Sequence, residues 1–298
     1  MKKTSKSAVL SRAVKTFVIV AVAAVVLILA ARWFRTLEGV ESFIDTYPGP
    51  ASLPESAPTG FPAWLGWQHF FNAFFIILLL KSGWQMRNQV RPPAHWRSKK
   101  NRSGPRLSIT LWLHLSLTLF WIVNGAIFII LLFITGQWTR IVPTSWDVFP
   151  NALSAALQYA SLDWPIDDGW VAYNGLQLLT YFVTVFIAAP LAIFTGYRMS
   201  SAWPGSPTLN QRFTVAKART IHNTVLVYYA AFIVVHVGLV LLTGVQRNLN
   251  HVYAARNDDS WMGLIMFGIS IFVIAVGWVA TQGVLLRTIA STTGKVTK

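Results

Sequence analysis

Six histidines, His69, His95, His114, His222, His236 and His251, hold the most versatile chemistry in this chain. A neutral imidazole offers one nitrogen lone pair to a metal and keeps the other nitrogen for a hydrogen bond. His222 and His236 are fourteen residues apart. On a helix turning 100° per residue that spacing falls about 40° short of four full turns, so both rings project from one face, roughly 21 Å apart along the axis. One metal ion cannot bind both, and each needs a partner from another segment at its own depth. His95 and His251 fall between apolar segments and read as ordinary surface histidines.

The elements that must position these rings are six apolar segments, near Thr16–Phe34, Phe61–Leu80, Leu107–Thr135, Val171–Phe194, Ile221–Thr243 and Trp261–Leu286. Each approaches the about 20 residues needed to cross roughly 30 Å of hydrocarbon. Their apolar cores hold no Asp, Glu, Lys or Arg, as expected where a charge at the bilayer centre costs about 2.5–3.5 kcal/mol. The first segment follows the basic stretch Lys2 to Lys15 and lacks a clean small-x-small site, so it is expected to remain as an uncleaved anchor.

Composition agrees. With 54% hydrophobic and 12% charged residues and a mean hydropathy of +0.50, an ordinary water-soluble domain is excluded. The net charge of +15 does not signal nucleic acid, because the charges are confined to gaps between apolar runs. Placing the N-terminus in the cytoplasm puts 20 of the 25 Lys and Arg on the inner face, in the two tails and the loops Lys81–Arg106 and Gly196–Thr220. Only Arg32, Arg35, Arg140, Arg247 and Arg256 are then outside, together with all ten acidic residues, Asp167 among them. This positive-inside bias predicts cytoplasmic N- and C-termini. The basic run Arg97–Arg102 reads as a topology determinant touching anionic lipid, and Val148–Leu162 as a short helix lying on the outer surface, suited to docking.

In this topology His69 and His236 both lie roughly 10–12 Å below the outer boundary and can face each other. His114 and His222 lie toward the inner boundary. Their depths differ by roughly 9 Å, which tilt or an earlier start of the fifth helix near Phe213 must absorb. Two His from different helices supply trans axial nitrogens to a haem iron, and a six-coordinate iron suits electron transfer. Zinc is disfavoured, since its structural sites want four clustered ligands. The absence of Cys excludes disulfides, iron–sulfur clusters, Cys-ligated haem and c-type attachment. Arg198, Arg219 and Arg106 near the inner pair, and Arg140 and Arg247 near the outer one, are candidate partners for haem propionates. Gly125, Gly175, Gly196, Gly238 and Gly244 can admit a flat macrocycle or a close helix contact. Met262 and Met266 read as lipid- or core-facing.

These residues resemble a known family. Gly66-Trp67-Gln68-His69, Leu111-Trp112-Leu113-His114 and the segment Ile221–His236 with its paired histidines are similar to the integral-membrane dihaem cytochrome b subunits of respiratory formate dehydrogenases and nickel–iron hydrogenases. The resemblance covers residues 61–245. It implies His69 with His236 and His114 with His222, two b-type haems, and electron transfer between membrane quinone (menaquinone or ubiquinone) and a partner redox enzyme. The chain would then be a non-catalytic subunit in a bacterial plasma membrane. The added N-terminal helix departs from the family's four-helix core, so the face that carries the partner does not transfer. The acidic loops Trp33–Gly60 and Gly136–Trp170 offer a docking surface for an exported molybdopterin-type oxidoreductase. The expected fold is an all-α transmembrane bundle. Residues 1–60 form an anchor helix and outer loop, 61–245 a four-helix haem-binding core, and 246–298 an outer loop, last transmembrane helix and basic tail. The alternatives are a haem-free transporter or scaffold, and a stand-alone quinol-dependent reductase.

Overall fold

The structure, a computed structural model, describes residues 6–100, 103–165 and 168–297. Lys2, Asn101, Arg102 and Asp167, named above, lie outside them. Six helical spans are long and apolar enough to cross a membrane: Val14–Arg35, Ala63–Asn88, Ile109–Ile134, Gly175–Arg198, Val215–Leu242 and Met262–Ala280. The fold is the all-α bundle expected. Contacts divide the described residues into two compact units, one up to Ala57 with Thr139–Phe182, the other Pro58–Trp138 with the residues from Val183 onward.

The first unit holds α1 (Lys6–Arg35) and α2 (Glu38–Thr46), and the later helices of residues 148–182. The membrane-length part of α1 is almost wholly exposed, as a lipid-facing anchor must be. Its last turn is tied down: Arg32 Nε donates to the Ser161 carbonyl at 2.9 Å, and Arg35 donates to Ser161 Oγ and pairs with Asp163, both at 2.7 Å.

The second unit begins with α3 (Ala63–Asn88), β1 (His95–Ser98), β2 (Leu107–Ser108) and α4 (Ile109–Ile134). Two departures from expectation arise here. α3 does not stop at Leu80 but continues through Lys81 to Asn88, because Lys81 Nζ finds the Trp278 carbonyl at 2.6 Å and Thr281 Oγ1 at 2.8 Å. The basic stretch after it is not simply loop: β1 pairs antiparallel with β2 and with a C-terminal strand 294–297. Ser108 then caps α4 by accepting from the Leu111 N–H at 3.1 Å.

Back in the first unit, α5 (Val148–Ala160) and α6 (Gly175–Phe182) pack on each other. A β-carbon on Gly175 would overlap the backbone of α5 at Val148, Asn151 and Ala152, so this glycine serves close packing. The short helix expected at Val148–Leu162 is present, but one of its faces is packed within the unit while Phe149 and Leu153 stay exposed. α5 buries Val148, Asn151, Ala152, Ser154, Ala155 and Gln158, with Asn151 Oδ1 accepting from Gly49 N–H and Gln158 Nε2 donating to the Pro48 carbonyl. Hydrophobic alternation missed this because half of the buried face is polar and satisfied by backbone partners.

The fourth span passes through a π-helical turn, Val183–Ala188, into α7 (Ala189–Arg198). Pro190 lacks an N–H, and its ring would strike the carbonyl four residues back in a straight α-helix; widening the turn avoids the clash. Tyr229 OH donates to the Thr184 carbonyl at 3.2 Å, and the Thr184 and Tyr228 hydroxyls meet at 2.7 Å. After α8 (Pro207–Arg212), Thr214 caps α9 (Val215–Leu242), which therefore starts earlier than Ile221. Short α10 (Val245–Leu249) and a π-turn, Asn250–Ala254, lead to α11 (Met262–Ala280). The last span ends at Ala280, short of Leu286; α12 (Gly283–Thr293) and β3 (Gly294–Thr297) follow. The unit's main core gathers Leu78, Leu79, Ile109, Leu113, Leu117, Leu286 and Ala290.

Candidate functional site

α3 and α9 bring the first pair together. His69 stands six residues from the start of α3 and His236 six from the end of α9, and their ring centroids are 6.2 Å apart. α4 and α9 bring together the second: His114 and His222 rings are 6.3 Å apart. The early start of α9 places His222 two turns inside its helix, which removes the depth mismatch.

These separations carry chemical information. Aromatic rings that face each other have centroids about 4.5–7 Å apart, so the two members of each pair are within reach of a common ligand. A metal–imidazole bond of about 2.0–2.1 Å, plus roughly 1.1 Å from nitrogen to ring centre, sets two trans imidazole centroids roughly 6.3 Å apart. Both pairs therefore match the span of one interposed metal ion with a ligand on each side. Among the described residues no group of three or more His, Asp or Glu could hold a metal ion, whereas a metal whose other positions are filled by a macrocycle would ask only one pair of imidazoles. A porphyrin does this, and the residues present fit one.

The inner pair is oriented by hydroxyls. Ser82 Oγ lies 2.8 Å from His114 Nδ1 and also donates to the Leu79 carbonyl; Thr195 Oγ1 lies 2.9 Å from His222 Nδ1 and donates to the Leu191 carbonyl. With each hydroxyl proton committed to its own helix, the oxygens accept from Nδ1–H. Both imidazoles are thereby held in the tautomer whose Nε2 lone pair is free for a metal. Gly83 and Gly196 leave room against these rings: a β-carbon would stand 3.8 Å from His114 Cε1 and 3.7 Å from His222 Cε1. The outer pair is walled by aromatics. Phe232 stacks on His236 at 5.3 Å, and Tyr253 meets His69 edge-on at 5.3 Å. His69 Nδ1 is buried with no hydrogen-bond partner.

Other predicted residues are placed as follows. Arg219 is exposed on α9, one turn before His222. Arg198 is buried and occupied, its Nε donating to the Phe213 carbonyl at 2.6 Å and its guanidinium over Trp203 at 5.3 Å. Arg106 donates to Thr297 Oγ1, and Arg247 is exposed. In the first unit Arg140 is fully buried against Tyr173 and donates to the Gly169 carbonyl at 2.6 Å; burial lowers its pKa, an effect Tyr173 and Asp168 oppose. Gly244 adopts φ +129°, so it serves a turn, and Gly125 and Gly238 have open space beside them. Met262 is exposed.

His251 corrects the sequence reading. It is 3% exposed, stacks on Phe61 at 5.7 Å and shares a 2.8 Å hydrogen bond with Asn257 through Nε2. The segment following α9 is folded back rather than loose, which no local pattern announced. His95 is half-buried on β1. Sequence reasoning also missed Ser82 and Thr195: a hydroxyl facing a histidine on another helix leaves no signature along the chain.

Residues 60–252 match the family model described as prokaryotic cytochrome b561. No curated protein and no solved structure matches the chain.

Proposed function

Because the chain belongs to the prokaryotic cytochrome b561 family, and so is a multi-pass membrane b-type cytochrome of electron transfer, we propose that it holds two haems and passes electrons between membrane quinone and a partner redox enzyme. The observation that carries the reading is the meeting of two histidine pairs from different helices, with ring centroids 6.2 and 6.3 Å apart, at two levels of α9, where each pair would hold one haem. His69 with His236, and His114 with His222, would hold the two haems, and Arg219, exposed one turn before His222, would meet a propionate.

When bound, each haem supplies a reversible one-electron carrier. The chain's own residues do the rest. α9 sets the two levels, because both of its ligands project from one face about 21 Å apart. Ser82 and Thr195 hold the inner imidazoles by Nδ1–H and make them stronger donors. Phe232 and Tyr253 pack their rings against the outer pair.

The positive-inside distribution supports cytoplasmic termini in a bacterial plasma membrane, with the His114–His222 level toward the cytoplasm. The acidic loops then face outward. Their exposed Trp146 and Leu153 are the apolar part of a surface on which a redox subunit, of the molybdopterin type, docks.

The test is stoichiometry. Protein purified in mild detergent should give a b-type spectrum with about two haems per chain by pyridine haemochrome, and a quinol should reduce both. Folded but colourless protein would defeat the proposal, and a single haem would defeat the two-level arrangement. A finer expectation concerns the hydroxyls. Ser82→Ala and Thr195→Val should each raise the midpoint potential of the inner haem by about 20–60 mV, since losing about 0.5–1.5 kcal/mol of ferric-state stabilisation corresponds to that shift in a one-electron couple. Redox titration should show the outer haem unmoved.

A further inference from the structure

At the sheet-bearing end of the bundle a cleft of about 670 Å³ opens between the last turns of α3, the start of α4, the end of α11 and α12. Its walls include Lys81, Arg91, Arg287, Trp84, Trp278 and Thr281. Lys81 is 6% exposed. Its Nζ donates to the Trp278 carbonyl and to Thr281 Oγ1, and sits 4.7 Å above the Trp278 ring. These contacts satisfy its N–H groups and set the ammonium on an indole face, but they bring no opposite charge.

No carboxylate is at hand to compensate it. The chain has no acidic residue between Glu55 and Asp147, and none after Asp259, and those two stretches supply every wall of the cleft. Among the described residues the guanidiniums of Arg91 and Arg287 have no hydrogen-bond or ion-pair partner. Three cations therefore line one cleft to which the described residues bring no anion. A buried charge left in that condition is costly, so the counter-charge is expected from a ligand.

The setting selects the kind of anion. Trp84 and Trp278 are 58% and 41% exposed, the placement of indoles at a membrane–water boundary. Val284 and Leu285, beside the cleft on α12, are 67% and 52% exposed and offer an apolar flank for acyl chains. Arginine forks match phosphate oxygens in two-pronged hydrogen bonds, and basic pockets between membrane helices suit phospholipid headgroups. A quinone is neutral and would leave all three cations unpaired. We propose that this cleft binds the phosphodiester of an anionic phospholipid, which fastens α11 and α12 to the α3–α4 core. Two of the four walls lie beyond residues 60–252, so the site goes beyond what the family match covers.

The test uses the full haem-loaded chain in nanodiscs of phosphatidylcholine, with or without phosphatidylglycerol, and a third sample of phosphatidylcholine discs with inorganic phosphate. Phosphatidylglycerol should raise the thermal midpoint by about 3 °C or more, as for a ligand that binds only the folded state. Native mass spectrometry should find it retained through purification. Arg91→Gln and Arg287→Gln, at the rim, should cut retention at least about threefold and abolish the shift, while Arg212→Gln, on α8 away from the cleft, should change neither. Lys81→Gln should lose both as well, and the rim variants decide the matter if it fails to fold. The proposal is overturned by the absence of a phosphatidylglycerol shift, by rim variants that keep it, by an equal loss in Arg212→Gln, or by inorganic phosphate reproducing it. Haem content is read in every sample, so loss of haem binding is distinguished from loss of lipid.

Discussion

On the proposed two-haem arrangement, alanine at His69 or at His236 is expected to remove one and the same haem, and alanine at His114 or at His222 to remove the other. Each single variant should fall from about two haems to about one, because loss of an axial nitrogen costs more than the 10–100-fold in affinity that follows from losing an outer partner. The expectation rests on which rings meet: His69 with His236 at 6.2 Å, and His114 with His222 at 6.3 Å, on opposite halves of α9. Low-temperature difference spectra of the four variants should fall into two matching pairs. Different remnants from His69→Ala and His236→Ala would break the assignment, as would loss of both haems from any single change in a chain that still folds. The inner variants are expected to lose haem more completely in His222→Ala than in Thr195→Val, since the hydroxyl orients the ring without ligating.

The largest expected effect on stability is at Asn250. Its side chain is fully buried and makes three good hydrogen bonds: Nδ2 to the Asp258 carbonyl at 2.7 Å and the Ser260 carbonyl at 2.6 Å, and Oδ1 from the Gly263 N–H at 2.7 Å. It thereby clamps the turn after α10 onto the first residues of α11. Gly263 itself lies so close to the backbone of Leu249 and Asn250 that a β-carbon would overlap both. Asn250→Leu leaves the buried Gly263 N–H unpaired and removes a donor from the Asp258 and Ser260 carbonyls, the second of which keeps Gln246 Nε2 at 3.3 Å, so with the lost packing a destabilisation of about 2–4 kcal/mol is expected. The thermal midpoint should drop by roughly 10 °C. The same turn presses Val252 and Tyr253 against Gly66 and His69 of α3. The haem between His69 and His236 should therefore be released at lower temperature than the other, which absorbance followed during melting would reveal. Asn250→Asp keeps the acceptor and should fall between the two. An unchanged midpoint in Asn250→Leu would show that the clamp is dispensable.

Lys81 and α5 show where local pattern stops being informative. Hydropathy ends the second span at Leu80, because lysine is costly in a membrane; α3 continues because the Trp278 carbonyl of α11 and the hydroxyl of Thr281, just after it, receive the ammonium. α5 looks like a surface helix because Asn151, Ser154 and Gln158 are polar, yet all three are buried. In both cases the partner comes from a part of the chain more than a hundred residues distant or from another helix's backbone, and no window along the sequence contains it. The sheet is a third case: the register His95 to Thr297 joins segments from opposite ends of the second unit.

What the sequence determined by itself is what a single helix determines. Length and apolarity set six spans, and a rise of about 1.5 Å with a turn of 100° per residue set the common face and the two depths of His222 and His236. His69 and His114 could be matched to those depths by the same arithmetic. Only the tertiary structure decided the quantities that depend on how helices approach one another. These are the gap between rings, the hydroxyls that choose the tautomer of His114 and His222, the burial of His251, and the unpaired cations at the sheet-bearing end. The physical reason is range: helix periodicity is written in neighbouring residues, whereas a separation between two side chains on different helices is set by every contact that packs those helices together.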